Sequence, residues 1–275
     1  MRLFILLAAF VAVFPQNIFA QTKEPAAAPA QKVVSGTVLL NDKIAPDAKK
    51  LLAALKKDWK LNTDSANTAD KTIVFSTPGA TVMIAFLDYP AAPAEIGTAA
   101  RISWLWKNAD EALRHQSQVV ISVIGKSNKT LDLYQTFTKT VAAVLENTNS
   151  CGVHIGGQYL LLSKGFYTAA ARNMLDNQTI PLYCWVYFGM TQENDLHSGY
   201  TFGLQEFGLK EMEIVNSKQS MADVHATLYD AALTVLKYDT HLQDGQSLTT
   251  LEGQKFTVKI SKAAFQEGET LKLEY

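Results

Sequence analysis

Short apolar runs alternate with amphipathic stretches along most of the chain. "KVVSGTVLL" (32–40) is β-branched and apolar, the composition of a strand. From Asp47 to Trp59, Leu51, Leu52, Leu55 and Trp59 recur on one helical face, while Lys49, Lys50, Lys56, Lys57 and Lys60 make a basic, wet face. Polar "KLNTDSANTAD" is a loop; "TIVFST", a Pro-Gly turn and "TVMIAFLDY" predict a hairpin. "PAAPAEIGTAAR" is irregular, with room for one helical turn. Asn108 is placed to cap a short helix ending near His115, with Glu111 as its capping-box partner. "QVVISVIG" predicts a strand, and Leu133, Phe137, Val141, Val144 and Leu145 mark one face of a helix over 131–146. "CGVHIGG" is a short strand, 164–175 a helix, and "PLYCWVYFGM", apolar on both faces, a central strand. "GYTFGL" and "EMEIVN" are shorter strands. Ser220, with Asp223 three residues on, opens a long helix in which Met221, Val224, Leu228, Ala231 and Val235 keep period. "KFTVKIS" and "LKLEY" close the chain as strands.

This order predicts an α+β fold. Residues 33–125 give β-α-β-β-α-β, and a looser version with extra elements follows. Two ferredoxin-like halves sharing one core would produce it. A single mixed or antiparallel sheet with helices packed on it fits as well. The continuous pattern from 33 to 275 predicts one domain.

The first residues, "MRLFILLAAFVAVFPQNIFAQ", break the alternation. Arg2 precedes an unbroken apolar run from Leu3 to Phe14, Pro15 ends it, and Ala20 offers a small residue before a cut. That length suits a signal-peptide core of ~7–15 residues and falls short of the ~20 needed to span a bilayer. Residues 1–20 are therefore expected to be removed on export, giving a periplasmic or secreted protein without stable membrane insertion. "QTKEPAAAPAQK" (21–32) has too little apolar surface to fold and is expected to be a tether. Export places Cys151 and Cys184 where disulfides persist. A bridge between them is one arrangement, and two buried free thiols are the other.

With 48% hydrophobic and 19% charged residues the chain can build a real core, and a net charge of −1 supplies no field to recruit nucleic acid. Candidate chemistry is sparse. "GKSN" (125–128) follows a strand, but Val120 stands where a phosphate loop needs its first glycine. His154 sits at a strand end and His115 at a helix end; Glu211 offers a carboxylate. A scattered hydrolase-like site would draw on these three. Glu211 and Glu213 alternate with Met212 and Ile214, the pattern of a half-exposed strand with solvated carboxylates. Tyr183, Trp185 and Tyr187 would share one strand face, packed under a helix or lining a ligand groove. His197, His225 and His241 lack metal-ligand spacing, and nothing calls for a cofactor.

"WLWKNADEALRHQSQVVISV", "CGVHIGG", "PLYCWVYFGM", "YTFGLQEFGLKEMEI" and "LQDGQSLTTLEGQKFTVKIS" follow one another in this order. Together they resemble the bacterial domain-of-unknown-function family 4261 over roughly residues 81–275. The likeness falls on Trp106, His115, Gly152, Gly156, Gly203, Glu211, Glu213 and Gly245. It implies a fold and a bacterial origin and brings no activity, substrate or catalytic residue. An exported leader departs from a family whose members are often cytoplasmic.

The sequence thus predicts an exported binding or interaction module, with a protein or small ligand as partner. A hydrolase-like enzyme and a structural envelope protein are the rivals.

Overall fold

The computed structural model describes residues 31–274. The expected leader and most of the tether lie outside the described residues, and the first strand starts at Gln31, just inside the stretch read as tether. In the first part of the chain the elements are β1 (Gln31–Leu40), α1 (Ala48–Lys57), β2 (Asn67–Ala69), β3 (Thr72–Thr77), β4 (Ala80–Leu87), α2 (Pro93–Ile102), β5 (Ser117–Lys126), α3 (Thr130–Glu146), β6 (Ser150–Ile155), β7 (Leu160–Ser163) and α4 (Lys164–Asn177). Then come β8 (Tyr187–Glu193), β9 (Leu196–Phe202), β10 (Met212–Ser217), α5 (Met221–Tyr238), β11 (Ser247–Thr249), β12 (Lys255–Lys262) and β13 (Glu269–Glu274).

The fold is α+β, built on two sheets. The first runs β2-β3-β4-β5-β1-β6-β7 and is antiparallel throughout. The second runs β11-β12-β13-β10-β9-β8, antiparallel except where β10 meets β13. The expectation of two ferredoxin-like halves needs correcting. Strands β4-β5-β1-β6, with α1 and α3, do interleave in that manner, but β5 lies between β4 and β1, so the unit is displaced one strand along the chain. The second half has two three-stranded meanders, β8-β9-β10 and β11-β12-β13, joined by one long helix, and does not repeat the first.

Local chemistry explains the ends of the elements. The side chain of Asp47 accepts from the Lys50 N–H at 3.0 Å, starting α1, and Ser220 accepts from Asp223 N–H at 3.2 Å, starting α5. Asn108 departs from expectation: the turn after it, 109–114, is a 3-10 helix with no side-chain cap. The "irregular" stretch is the full helix α2, because Pro93 occupies its first turn and Ile96, Ala99 and Ala100 bury one face. "PLYCWVYFGM" is not a central strand: 182–184 is a 3-10 turn, and β8 begins only at Tyr187, at the edge of the second sheet.

One large core joins both sheets, with Leu51 and Leu55 of α1, Phe137 and Val141 of α3, and Leu228 and Val235 of α5 all buried in it. Trp185 donates to the Thr138 hydroxyl at 2.8 Å, tying the second sheet to α3. A smaller cluster of Leu39, Ile96, Trp106, Ala112 and Leu161 lies where α2 and the 109–114 turn cover the other face of the first sheet. Truncating Phe137 to alanine would cost about 3–5 kcal/mol. No helix among the described residues is long and apolar enough to cross a membrane.

Candidate binding groove

Helix α5 packs on one face of the second sheet, and Leu228 lies against Gly199 there. Among the described residues no helix covers the opposite face, and α2 only borders it through Thr98 and Ile102. Period-two alternation puts Tyr187 of β8 beside Phe202 of β9 on that face, and Gly189 beside Tyr200. A Cβ on Gly189 would stand 2.1 Å from the Tyr200 ring, so the missing side chain lets the ring lie across the neighbouring strand. Phe265 then stacks on Tyr200 with centroids 5.3 Å apart and planes 18° from parallel. Tyr159 packs against Phe202 at 4.9 Å. It holds a left-handed backbone (φ 55°), a conformation that side-chain-bearing residues adopt at a cost. These rings, with Thr98 and Ile102 of α2, Gln205, Gln266 and Glu267, line an open cavity of about 630 Å³.

Two buried carboxylates hold its walls. Glu211, 6% exposed, accepts from the Gly203 N–H (2.7 Å), the Gln205 N–H (3.0 Å) and the Thr201 hydroxyl (2.8 Å). That pins the 204–207 turn and aims Gln205 at the cavity. Gly203 opens this turn at φ 126°, with Trp185 O only 2.7 Å from where a Cβ would be, so no other residue fits without strain. Glu213, 0% exposed, accepts from the Ala264 N–H (3.0 Å) and the Phe265 N–H (3.3 Å) and pairs with Lys272. That pins the 263–268 loop, which supplies Phe265, Gln266 and Glu267. Lys32 at the start of β1 pairs with Glu206 at 2.7 Å and braces the first wall against the other sheet.

The two carboxyl groups titrate in opposite directions. Burial pushes Glu211 above the usual range, against the pull of its N–H and hydroxyl donors. Burial also acts on Glu213, but Lys272 and the Ala264 and Phe265 N–H groups outweigh it and hold the carboxyl below that range. Burial, then Tyr200, pushes the Tyr187 phenol up to about 12, and burial, Tyr159 and Glu213 raise Tyr200. Both phenols therefore stay neutral at ordinary pH and offer O–H donors.

The expected site residues do not converge on one site: Glu211 lies on the other sheet, while His154 and His115 are near enough to interact electrostatically. His115 is buried, with Nε2 accepting from the Ala91 N–H at 2.8 Å and Nδ1 meeting Ala112 O at 2.7 Å. The carbonyl requires the proton on Nδ1, so both nitrogens are engaged in closing α2 onto the 109–114 turn. His154 lies on β6 between Thr37 and Leu161. Burial pushes its pKa down, with Glu95 opposing and His115 adding to the effect. Its ring meets no hydrogen-bond partner among the described residues. Glu211 has both oxygens engaged on the other sheet. Cys151 and Cys184 are free thiols: Cys151 Sγ points at Leu39 O beside the small cluster, whereas Cys184 is sealed in the main core. Among the described residues no group of three or more metal-ligating side chains is placed to hold an ion.

Two further expectations fail. Glu211 and Glu213 are buried, not solvated, because the loops at 203–207 and 263–268 fold over them. The stripe of Tyr183, Trp185 and Tyr187 is split: Trp185 is in the core, Tyr183 joins His225 and Trp104 elsewhere, and only Tyr187 reaches the groove.

Residues 200–274 match the family model described as Domain of unknown function (DUF4261). This is the family the sequence resembles. The DUF4261 match takes in the last two of the five segments that carry the resemblance and begins at Tyr200. The matched residues include Tyr200, Phe202, Gln205, Phe265 and both anchoring glutamates, so most of the groove lies within the match. No curated protein and no solved structure matches the chain.

Proposed function

We propose that the protein is a binding module whose ligand lies in the groove on the outer face of the second sheet. The observation that carries this reading is the anchoring: two buried carboxylates hold both walls of an open, ring-lined cavity. Burying a carboxylate is costly unless donors surround it, and here the donors are the loops that form the walls. A volume of about 630 Å³ falls within the ~300–1,000 Å³ of small-ligand sites. The hydrolase-like alternative has less support, since His115 and Glu211 are committed to structure. Export is part of the proposal and is supported by Arg2 and the apolar run 3–14. N-terminal mass spectrometry of protein recovered from cells would test it: a start near residue 21 is expected, and an intact Met1 would refute it.

The binding reading is tested by screening small ligands with NMR on the intact protein. Hits should shift resonances of Tyr187, Tyr200 and Phe265 and weaken in Tyr187→Ala. Hits that consistently map elsewhere, unchanged in that variant, would overturn it.

A further inference from the structure

We infer that the groove takes a short, uncharged oligosaccharide. This rests on the binding reading above and names its ligand class.

The lining combines flat rings with neutral hydrogen-bonding groups. Tyr200 lies across the strand at Gly189 and Phe265 stacks on it, so the faces left for a ligand are the outer one of Phe265 and that of Tyr187, which sits 6.2 Å from Tyr200 at 58°. Ring faces carry the negative part of the aromatic quadrupole, so they attract the weakly positive C–H groups on the flat side of a sugar ring. The Thr98 hydroxyl is taken up by Ala94 O and Arg101, but Gln205 and Gln266 contribute carboxamides, the latter also donating to Thr201 O at 3.3 Å, and Tyr159, Tyr187 and Tyr200 contribute hydroxyls. Each of these groups both donates and accepts, which matches sugar hydroxyls that do the same.

Charge narrows the class. Glu267 is the lone charged side chain in the lining, and it is exposed. Among the described residues no ammonium or guanidinium lines the cavity, so an anionic ligand has no charged partner there; Arg101 is turned onto the Thr98 hydroxyl at 3.0 Å. Lys272, beneath the floor, is neutralised by Glu213. A single solvated carboxylate gives a cation little affinity. The cavity is also open and far larger than an ammonium group, which suits sugar rings laid end to end.

The test is NMR titration of the intact protein with cellotriose, maltotriose and triacetylchitotriose, each to about 10 mM, where a site of about 1 mM Kd approaches saturation. Parallel titrations use choline, trilysine and a synthetic peptide of residues 21–30. The expected result is saturable binding of at least one sugar, with shifts at Tyr187, Tyr200 and Phe265. Binding should weaken about tenfold in Tyr200→Ala and measurably in Gln205→Ala, a variant that leaves the anchored backbone intact. Thermal melting of each variant separates lost binding from lost fold. Failure of all three sugars to bind overturns the proposal. Choline, trilysine or peptide binding in the groove, with no sugar binding, overturns the sugar class and leaves the groove reading standing. Sugar binding unaffected by both variants, or mapped elsewhere, overturns the groove itself.

Discussion

Each sheet has one face turned away from the main core, and the two faces are finished in opposite ways. On the first sheet α2 and the 109–114 turn cover much of that face, and Leu39, Ile96, Trp106 and Leu161 fill the space beneath. One of its two buried histidines, His115, is spent on closure, bridging Ala91 N–H and Ala112 O. On the second sheet no helix among the described residues covers the face. Its buried polar groups, Glu211 and Glu213, hold loops at the rim and leave the rings between them accessible. A buried polar group is costly unless it is satisfied. What it is satisfied by separates a sealed layer from a preformed groove.

The comparison can be broken at several points, the largest effect first. Glu213→Ala leaves Lys272 and the Ala264 and Phe265 N–H groups without their acceptor. It should cost about 3–5 kcal/mol in urea unfolding and abolish ligand binding. His115→Ala orphans Ala91 N–H on the sealed face and leaves Ala112 O with only the backbone N–H of residue 115. About 2–3 kcal/mol should be lost, with groove affinity unchanged. Gly189→Ala puts a methyl group where the Tyr200 ring lies. The ring can swing aside, so stability should fall by only about 1 kcal/mol while binding falls far more. Gln205→Ala should change stability by less than about 0.5 kcal/mol and still weaken binding.

Acid–base behaviour sharpens the contrast between the two glutamates. The depressed Glu213 contributes stability that is present above the ordinary carboxylate pKa and is lost as pH falls through its folded value. Glu211 is raised, so the unfolded chain releases its proton first, and stability declines as pH rises from the ordinary value through the folded one. Unfolding free energies measured across the acid range should therefore show Glu213→Gln removing the low-pH loss and Glu211→Gln removing the decline above it.

Much of the architecture was legible in the sequence. Helices α1, α3 and α5 declare themselves through apolar period and, for α1 and α5, through capping residues, and most strands through β-branched runs. Helix α2 was hidden because alanine and glycine dilute its stripe to Ile96, Ala99 and Ala100. The edge position of β8 was hidden because Trp185 and Val186 are buried by tertiary packing rather than by strand neighbours. The groove could not be read, since alternation places Glu213 on the same strand face as Tyr200 but says nothing of a loop 51 residues later folding over it. The signals that did exist were the "YTF" and "YFG" alternations and the resemblance itself, which fell on Gly203, Glu211 and Glu213.

Hydrogen exchange of individual backbone amides in the ligand-free protein tests the anchoring directly. The N–H groups of Gly203, Gln205, Ala264 and Phe265 lie in loops, yet each donates to a buried carboxylate. They should exchange far more slowly than exposed loop amides, and Ala264 and Phe265 should lose that protection in Glu213→Gln. Exchange of all four at the rate of an open loop would mean that the walls are not held, and the account of a preformed groove would be wrong.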